Sequence, residues 1–163
     1  MIFAGEHMDY FQGVVTEYLR ADRAVFVNTE CCIQLNPGAN PDTSGPHWYC
    51  DAVAVNFRDE SVSLCEVSYS QSLGALIKRL EGWSANWSKL REALIRDCAI
   101  PATWQVRPWL FVPADRQRKL AQKLPKLIVD GGMPHPLITT LESVVPWKYK
   151  SWNRSPTDES HDA

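Results

Sequence analysis

No stretch of the sequence is apolar over the roughly 18 residues that a membrane-spanning helix needs, and 45% hydrophobic with 22% charged residues is the balance of an ordinary globular protein. The opening residues, MIFAGEHMDY, carry neither the basic start nor the long apolar segment of a secretory signal, so a cytoplasmic location with no membrane contact is expected. The five cysteines, Cys31, Cys32, Cys50, Cys65 and Cys98, are odd in number and form no CxxC, which gives neither a disulfide framework nor a zinc ribbon. A zinc site built from His47 and Cys50 with Cys32 or Cys65 would have spacings unlike known zinc patterns. The histidines, His7, His47, His135 and His161, lack HExxH or HxH spacing, and neither GxSxG nor a Gly-rich phosphate loop occurs.

A strong excess of one charge is missing too. At a formal −2 the chain as a whole does not draw nucleic acid to itself. The charge is uneven, however. Residues 157–163 hold Asp158, Glu159 and Asp162, and without those three acids the remainder is net positive. Arg116, Arg118, Lys119, Lys123 and Lys126 gather the basic charge on one helical stretch, which makes DNA a candidate partner.

What is present begins with Met8, Phe11, Val14, Val15, Tyr18 and Leu19 at helical spacing, so a helix runs from His7 to about Asp22. Glu17 lies beside this stripe. Residues Ala24 to Leu35 alternate as a strand with Val25, Val27, Thr29, Cys31, Ile33 and Leu35 on one side and Glu30 on the other. The segment NPGANPDTSGP that follows is a loop, placed as a lid or a substrate-contacting element. After the central region, Leu73, Leu76, Ile77, Leu80, Trp83, Trp87, Leu90 and Leu94 mark one long helix, about Gln71 to Cys98. Residues Trp104 to Val112 read as a strand whose Pro108 implies an edge or a bulge. The basic helix follows, then a turn at Asp130-Gly131-Gly132, and Leu137 to Val145 as a strand or a short helix. The 163 residues suit one domain, 1–152, with a disordered acidic tail at 153–163.

The stretch from Trp48 to Trp83 carries the chemistry. Tyr49–Phe57 and Ser61–Ser70 read as two strands joined by a tight turn at Arg58 and Asp59, with Asp51, Val53, Val55 and Phe57 sharing one face and Cys50, Ala52, Ala54 and Asn56 the other. That turn, or a four-residue one with the same centre, sets Val55 against Val62, Val53 against Leu64 and Asp51 against Glu66, whereas a turn centred one residue further on sets Asp51 against Ser68. Opposed side chains have Cβ atoms about 4.5–5.5 Å apart, where like charges destabilise. Both acids continue an apolar face, so desolvation adds to the cost. A shared proton, a cationic side chain or a divalent metal on oxygen ligands would offset it.

An acid on one strand, a hairpin, and a second acid at the end of the next strand leading into a helix resembles the core of the PD-(D/E)xK nuclease superfamily. Asp51 matches its first acid and Glu66 its second. Cys50 stands where the family has proline and Ser68 where it has lysine, while the literal Pro41-Asp42 falls in a loop. Some members carry the lysine on the following helix, and Lys78 matches that position. The resemblance implies an α/β, restriction-endonuclease-like αβββαβα core with a mixed central sheet flanked by helices. It further implies a nuclease that hydrolyses DNA, with Mg2+ or Mn2+ held by Asp51, Glu66 and the Val67 carbonyl. Lys78 would orient water and Glu17 would line the site from the first helix; the alternative for both is a solvated helix position. Tryptophans, Trp48, Trp83 and Trp104 in particular, are candidates to stack on bases, or else fill the core. The missing strand lysine also suits a second function, a nuclease fold that binds nucleic acid or protein without cleaving.

Overall fold

Three β-rich stretches in succession, with a turn or loop between each, pair as an antiparallel meander. In the computed structural model, which describes residues 10–37, 45–128 and 132–149, helix α1 (Tyr10–Arg20) leads into β1 (Val25–Gln34), β2 (His47–Asn56) and β3 (Ser61–Val67), each strand antiparallel to the one before. Helices α2 (Gly74–Ala85) and α3 (Trp87–Cys98) then carry the chain to β4 (Gln105–Val112), parallel to β3. Helix α4 (Ala114–Leu127) leads on to β5 (Leu137–Thr140), parallel to β4. Parallel neighbours need a crossover of a dozen or more residues, which the helices supply. The result is the restriction-endonuclease-like core with one strand added, a mixed sheet in the order β1-β2-β3-β4-β5.

Each face of the sheet buries its own apolar cluster. On one side Ile33, Val62, Leu64, Val106 and Leu110 meet Leu76, Leu80, Trp83 and Leu90 of α2 and α3, with Leu120 and Leu124 of α4. On the other Ala52, Ala54, Trp109 and Phe111 meet Val15, Tyr18 and Leu19 of α1 and the 3-10 turn Leu141–Val144. Leu137 to Val145 thus holds both a strand and a short helix. Among the described residues no helix is long and apolar enough to cross a membrane. The acidic tail and the Pro41-Asp42 pair lie outside the described residues, as do the start of the first helix and most of the loop before β2.

Two elements depart from the sequence pattern. The single long helix is two, because Asn86 takes its side chain back to the Gly82 carbonyl at 2.9 Å and its own N–H to Trp83, ending α2 before α3 starts. The strict alternation of β1 and β2 also fails. Val25 and Val27 pack on the α1 side whereas Cys31 and Ile33 pack on the α2 side; likewise Ala52 and Ala54 lie on the α1 side while Cys50 joins Val53 on the other. Both strands change face at one level, where Glu30 has a left-handed φ of 54° and Asp51 is its opposite number in the register. Pro108 is accommodated because β5 pairs with β4 only from Trp109 onwards.

Candidate functional site

The turn after β2 sets the register that matters. It spans Phe57 to Glu60 and is closed by Asn56, whose side-chain oxygen accepts the N–H groups of Arg58 and Asp59, each at 3.0 Å, and whose amide donates to Asp59 at 3.0 Å. This four-residue turn has the same centre as the expected two-residue one, so Val55 pairs with Val62 and Val53 with Leu64. The ladder ends at Ala52 and Cys65, and its register carried on by one step would set Asp51 against Glu66.

Beyond that last pair the strands fork, and Asp51 fills the fork. Its Oδ2 accepts the Val67 backbone N–H at 2.8 Å, and its Oδ1 accepts the Gln12 side-chain amide of α1 at 3.0 Å. Val67 thus meets Asp51 through its amide rather than its carbonyl. The Cys50 thiol closes the base of the fork, donating to the carbonyls of Ala52 at 3.3 Å and Cys65 at 3.5 Å. Burial pushes the Cys50 and Cys65 thiols up, reinforced by the neighbouring acids.

Glu66 is 6% exposed, and its Oε1 accepts Arg79 Nη1 of α2 at 2.5 Å. The same nitrogen donates to the Tyr49 carbonyl at 2.8 Å, so Arg79 ties α2 to β2 and β3 at once. Burial first, then hydrogen bonding with Asp51 and its charge, push Glu66 up to about 10, with Arg79 pulling the other way. Glu66 thus lies between a second carboxyl, Asp51, and one guanidinium, Arg79. One of the offsets expected from the sequence, a cationic side chain, stands beside Glu66.

The cation is Arg79, and Lys78 beside it is exposed. Helical geometry accounts for the difference: at 100° per residue Lys78 points about half a turn away from the stripe of Leu73, Leu76, Leu80 and Trp83, while Arg79 lies on its flank. The same arithmetic holds in α1. Glu17 is exposed, about 140° round from Gln12, which shares the inward stripe with Val15, Thr16 and Leu19. The sequence signal for Gln12 and Arg79 is a polar residue on or beside an apolar stripe. Glu30 is exposed. Ser68, where the resemblance leads one to expect lysine, is half-buried and donates its backbone N–H to Phe111 at 3.0 Å.

The tryptophans divide. Trp83 is fully buried, Trp48 packs under Gly82, and Trp104 stacks edge-on to Phe57 at 5.4 Å in an apolar groove with Phe26, Val55 and Ile100. That groove is at the far end of β2, six residues or about 20 Å along the strand from Asp51. On α4, Arg118, Lys119, Lys123 and Lys126 are exposed opposite buried Leu120 and Leu124, and Arg116 pairs with Asp115 at 3.1 Å. Among the described residues, no three His, Cys, Asp or Glu side chains converge on one point.

No family model matches the chain, and no curated protein matches it in sequence. The crystal structure of an XisH family protein from Nostoc punctiforme is similar, with a TM-score of 0.51 and 21% identity, covering 84% of this chain and 95% of that one. At this identity the likeness is one of fold.

Proposed function

We propose that the protein is a metal-dependent nuclease that hydrolyses phosphodiester bonds in DNA. The observation that carries this reading is the meeting of Asp51 and Glu66 at the β2–β3 fork, a half-buried carboxyl against a buried one. Mg2+ or Mn2+ fits the residues on the chemistry of the donors. Magnesium is commonly held by one or two carboxylates, with water completing its shell, and a dication would offset the repulsion between the two carboxyls. Asp51 and Glu66 would hold it, with the Val67 carbonyl as a third oxygen. Bound there, the ion would supply charge neutralisation at the phosphate and a more acidic water.

The chain's own groups do the rest. Gln12 and the Val67 N–H hold Asp51 in one orientation. Arg79, in the role expected of Lys78, supplies positive charge beside Glu66 and is placed to offset charge developing on the phosphoryl oxygens. Gln12 takes the place on the first helix for which Glu17 was the sequence candidate. The exposed cations of α4 offer contacts to the DNA backbone.

One observation favours a second reading, a nuclease fold that binds without cleaving. Ser68 replaces the strand lysine, and Arg79 is already engaged by Glu66. A manganese titration followed by thermal melting separates the two readings when paired with a DNA cleavage assay. Expected for the nuclease are a saturable rise in Tm, equivalent to about 2.7 kcal/mol at one hundred times Kd, and manganese-dependent cleavage. Asp51→Asn should lose both. A metal response without cleavage would support the binding module, and no metal response would remove the nuclease.

A further inference from the structure

We propose that the substrate is single-stranded DNA, or DNA with unpaired bases, and that Tyr69, Phe11, Tyr10 and Tyr49 form a base-stacking surface around the acid pair; this rests on reading the site as a nuclease. Six large apolar or aromatic side chains are strongly exposed among the described residues. Phe26 and Phe57 belong to the groove at the far end of β2, and Trp147 to the C-terminal 3-10 turn Pro146–Lys148. The other three are all tyrosines, Tyr10, Tyr49 and Tyr69, exposed by 74%, 44% and 51%. Each is joined to the site through the chain or through one bond.

Tyr69 follows Glu66 by three residues and stacks on Phe11 with centroids 5.1 Å apart and planes tilted by 36°. Phe11 is next in sequence to Gln12, which holds Asp51, and receives Tyr10 edge-on at 5.3 Å. Tyr49 lies two residues before Asp51, with its carbonyl held by Arg79 and its ring edge-on to His47 at 5.6 Å. Aromatic surface left in water beside a charged site is costly unless something covers it. A base has an apolar face for the ring and polar edges for the phenol. Paired bases are stacked on one another in a duplex, whereas unpaired bases are free to stack on protein rings, with little regard to sequence.

The test is fluorescence anisotropy with end-labelled 20-nucleotide DNA, single-stranded or annealed, in calcium in place of magnesium or manganese. The wild type is expected to bind the single strand at least tenfold more tightly than the duplex. Tyr69→Ala should weaken single-strand binding about fivefold or more, at the lower end of what one stacked base contributes, and leave duplex binding unchanged. Tyr69→Phe should behave as wild type, which with unchanged melting temperatures separates stacking from folding. Equal or tighter binding of the duplex, or an unaffected Tyr69→Ala, overturns the proposal. Cleavage assays on the same two DNAs tell its failure from that of the parent reading. Cleavage with no single-strand preference removes the stacking surface and leaves the nuclease. Tyrosine-dependent single-strand binding without cleavage at any manganese concentration removes the nuclease and leaves the surface.

Discussion

Glu66 shows how a single carboxyl can link folding to function. Its folded-state titration lies near 10 against an ordinary value near 4.5, because burial and Asp51 outweigh Arg79. A carboxyl raised on folding contributes its full stability below the unfolded value, where both states are protonated. That contribution falls away as pH rises from about 4.5 through about 10, because only the unfolded chain readily gives up the proton. Glu66→Gln reproduces the protonated form, with an oxygen for Arg79 and an amide to donate to Asp51. We expect the variant to melt a few degrees above wild type at pH 8 in EDTA, at about 2–4 °C per kcal/mol for a chain of this size. The gap should close towards pH 4.5, and manganese should no longer raise Tm. A variant less stable than wild type at pH 8 would show that Glu66 is ionised there and stabilised by Arg79.

At the scale of elements, α2 delivers Arg79 only because it lies close on β2, and Gly82 permits the approach. A Cβ at Gly82 would sit 3.0 Å from Trp48 Cζ2, a ring wedged between strand and helix. For Gly82→Ala the gain in helix propensity, about 1 kcal/mol, should nearly cancel the crowding. Gly82→Val cannot fit without moving the ring, and should cost about 1–3 kcal/mol in urea unfolding. A valine variant as stable as wild type would mean that α2 is free to shift. How far such placements were legible depends on period. The β2–β3 register could be read because the turn centre fixes it, and Val55 against Val62 is the same pair in sequence and structure. Arg79 was also within reach, since a helix of 100° steps turns Lys78 away from the sheet. The change of face at Glu30 and Asp51 was not. A constant period of two has no place for a left-handed residue within a strand, and Glu30 carries no glycine-like signature to announce one. For the same reason the sequence separated Asp51 from Cys50 by face but could not show both closing one fork.

For the molecule as a whole, a chain of net charge −2 with two acids at its proposed centre can bind a polyanion only if its cations are segregated. Helix α4 provides that segregation. Its inward side is spent on Leu120 and Leu124, leaving Arg118, Lys119 and Lys123 exposed, and it contacts α2, the helix that bears Arg79. Its N-terminal end is fixed by Glu142, which accepts the Ala114 N–H at 2.7 Å, so the helix is held at both layers. Each cation on a phosphate releases counterions, giving a slope of about −0.7 in log K against log salt for a single strand and −0.9 for a duplex. Replacing Arg118, Lys119 and Lys123 together by Gln should therefore flatten the slope by about 2 for a single strand. It should weaken binding at low salt, with Tm unchanged because the three side chains are exposed and make no ion pair among the described residues. The slope distinguishes this face from the tyrosines: Tyr69→Ala should shift the line down at every salt concentration without altering its gradient. An unchanged gradient in the triple variant would exclude α4 from the DNA path and leave backbone contact to Arg79 and its neighbours.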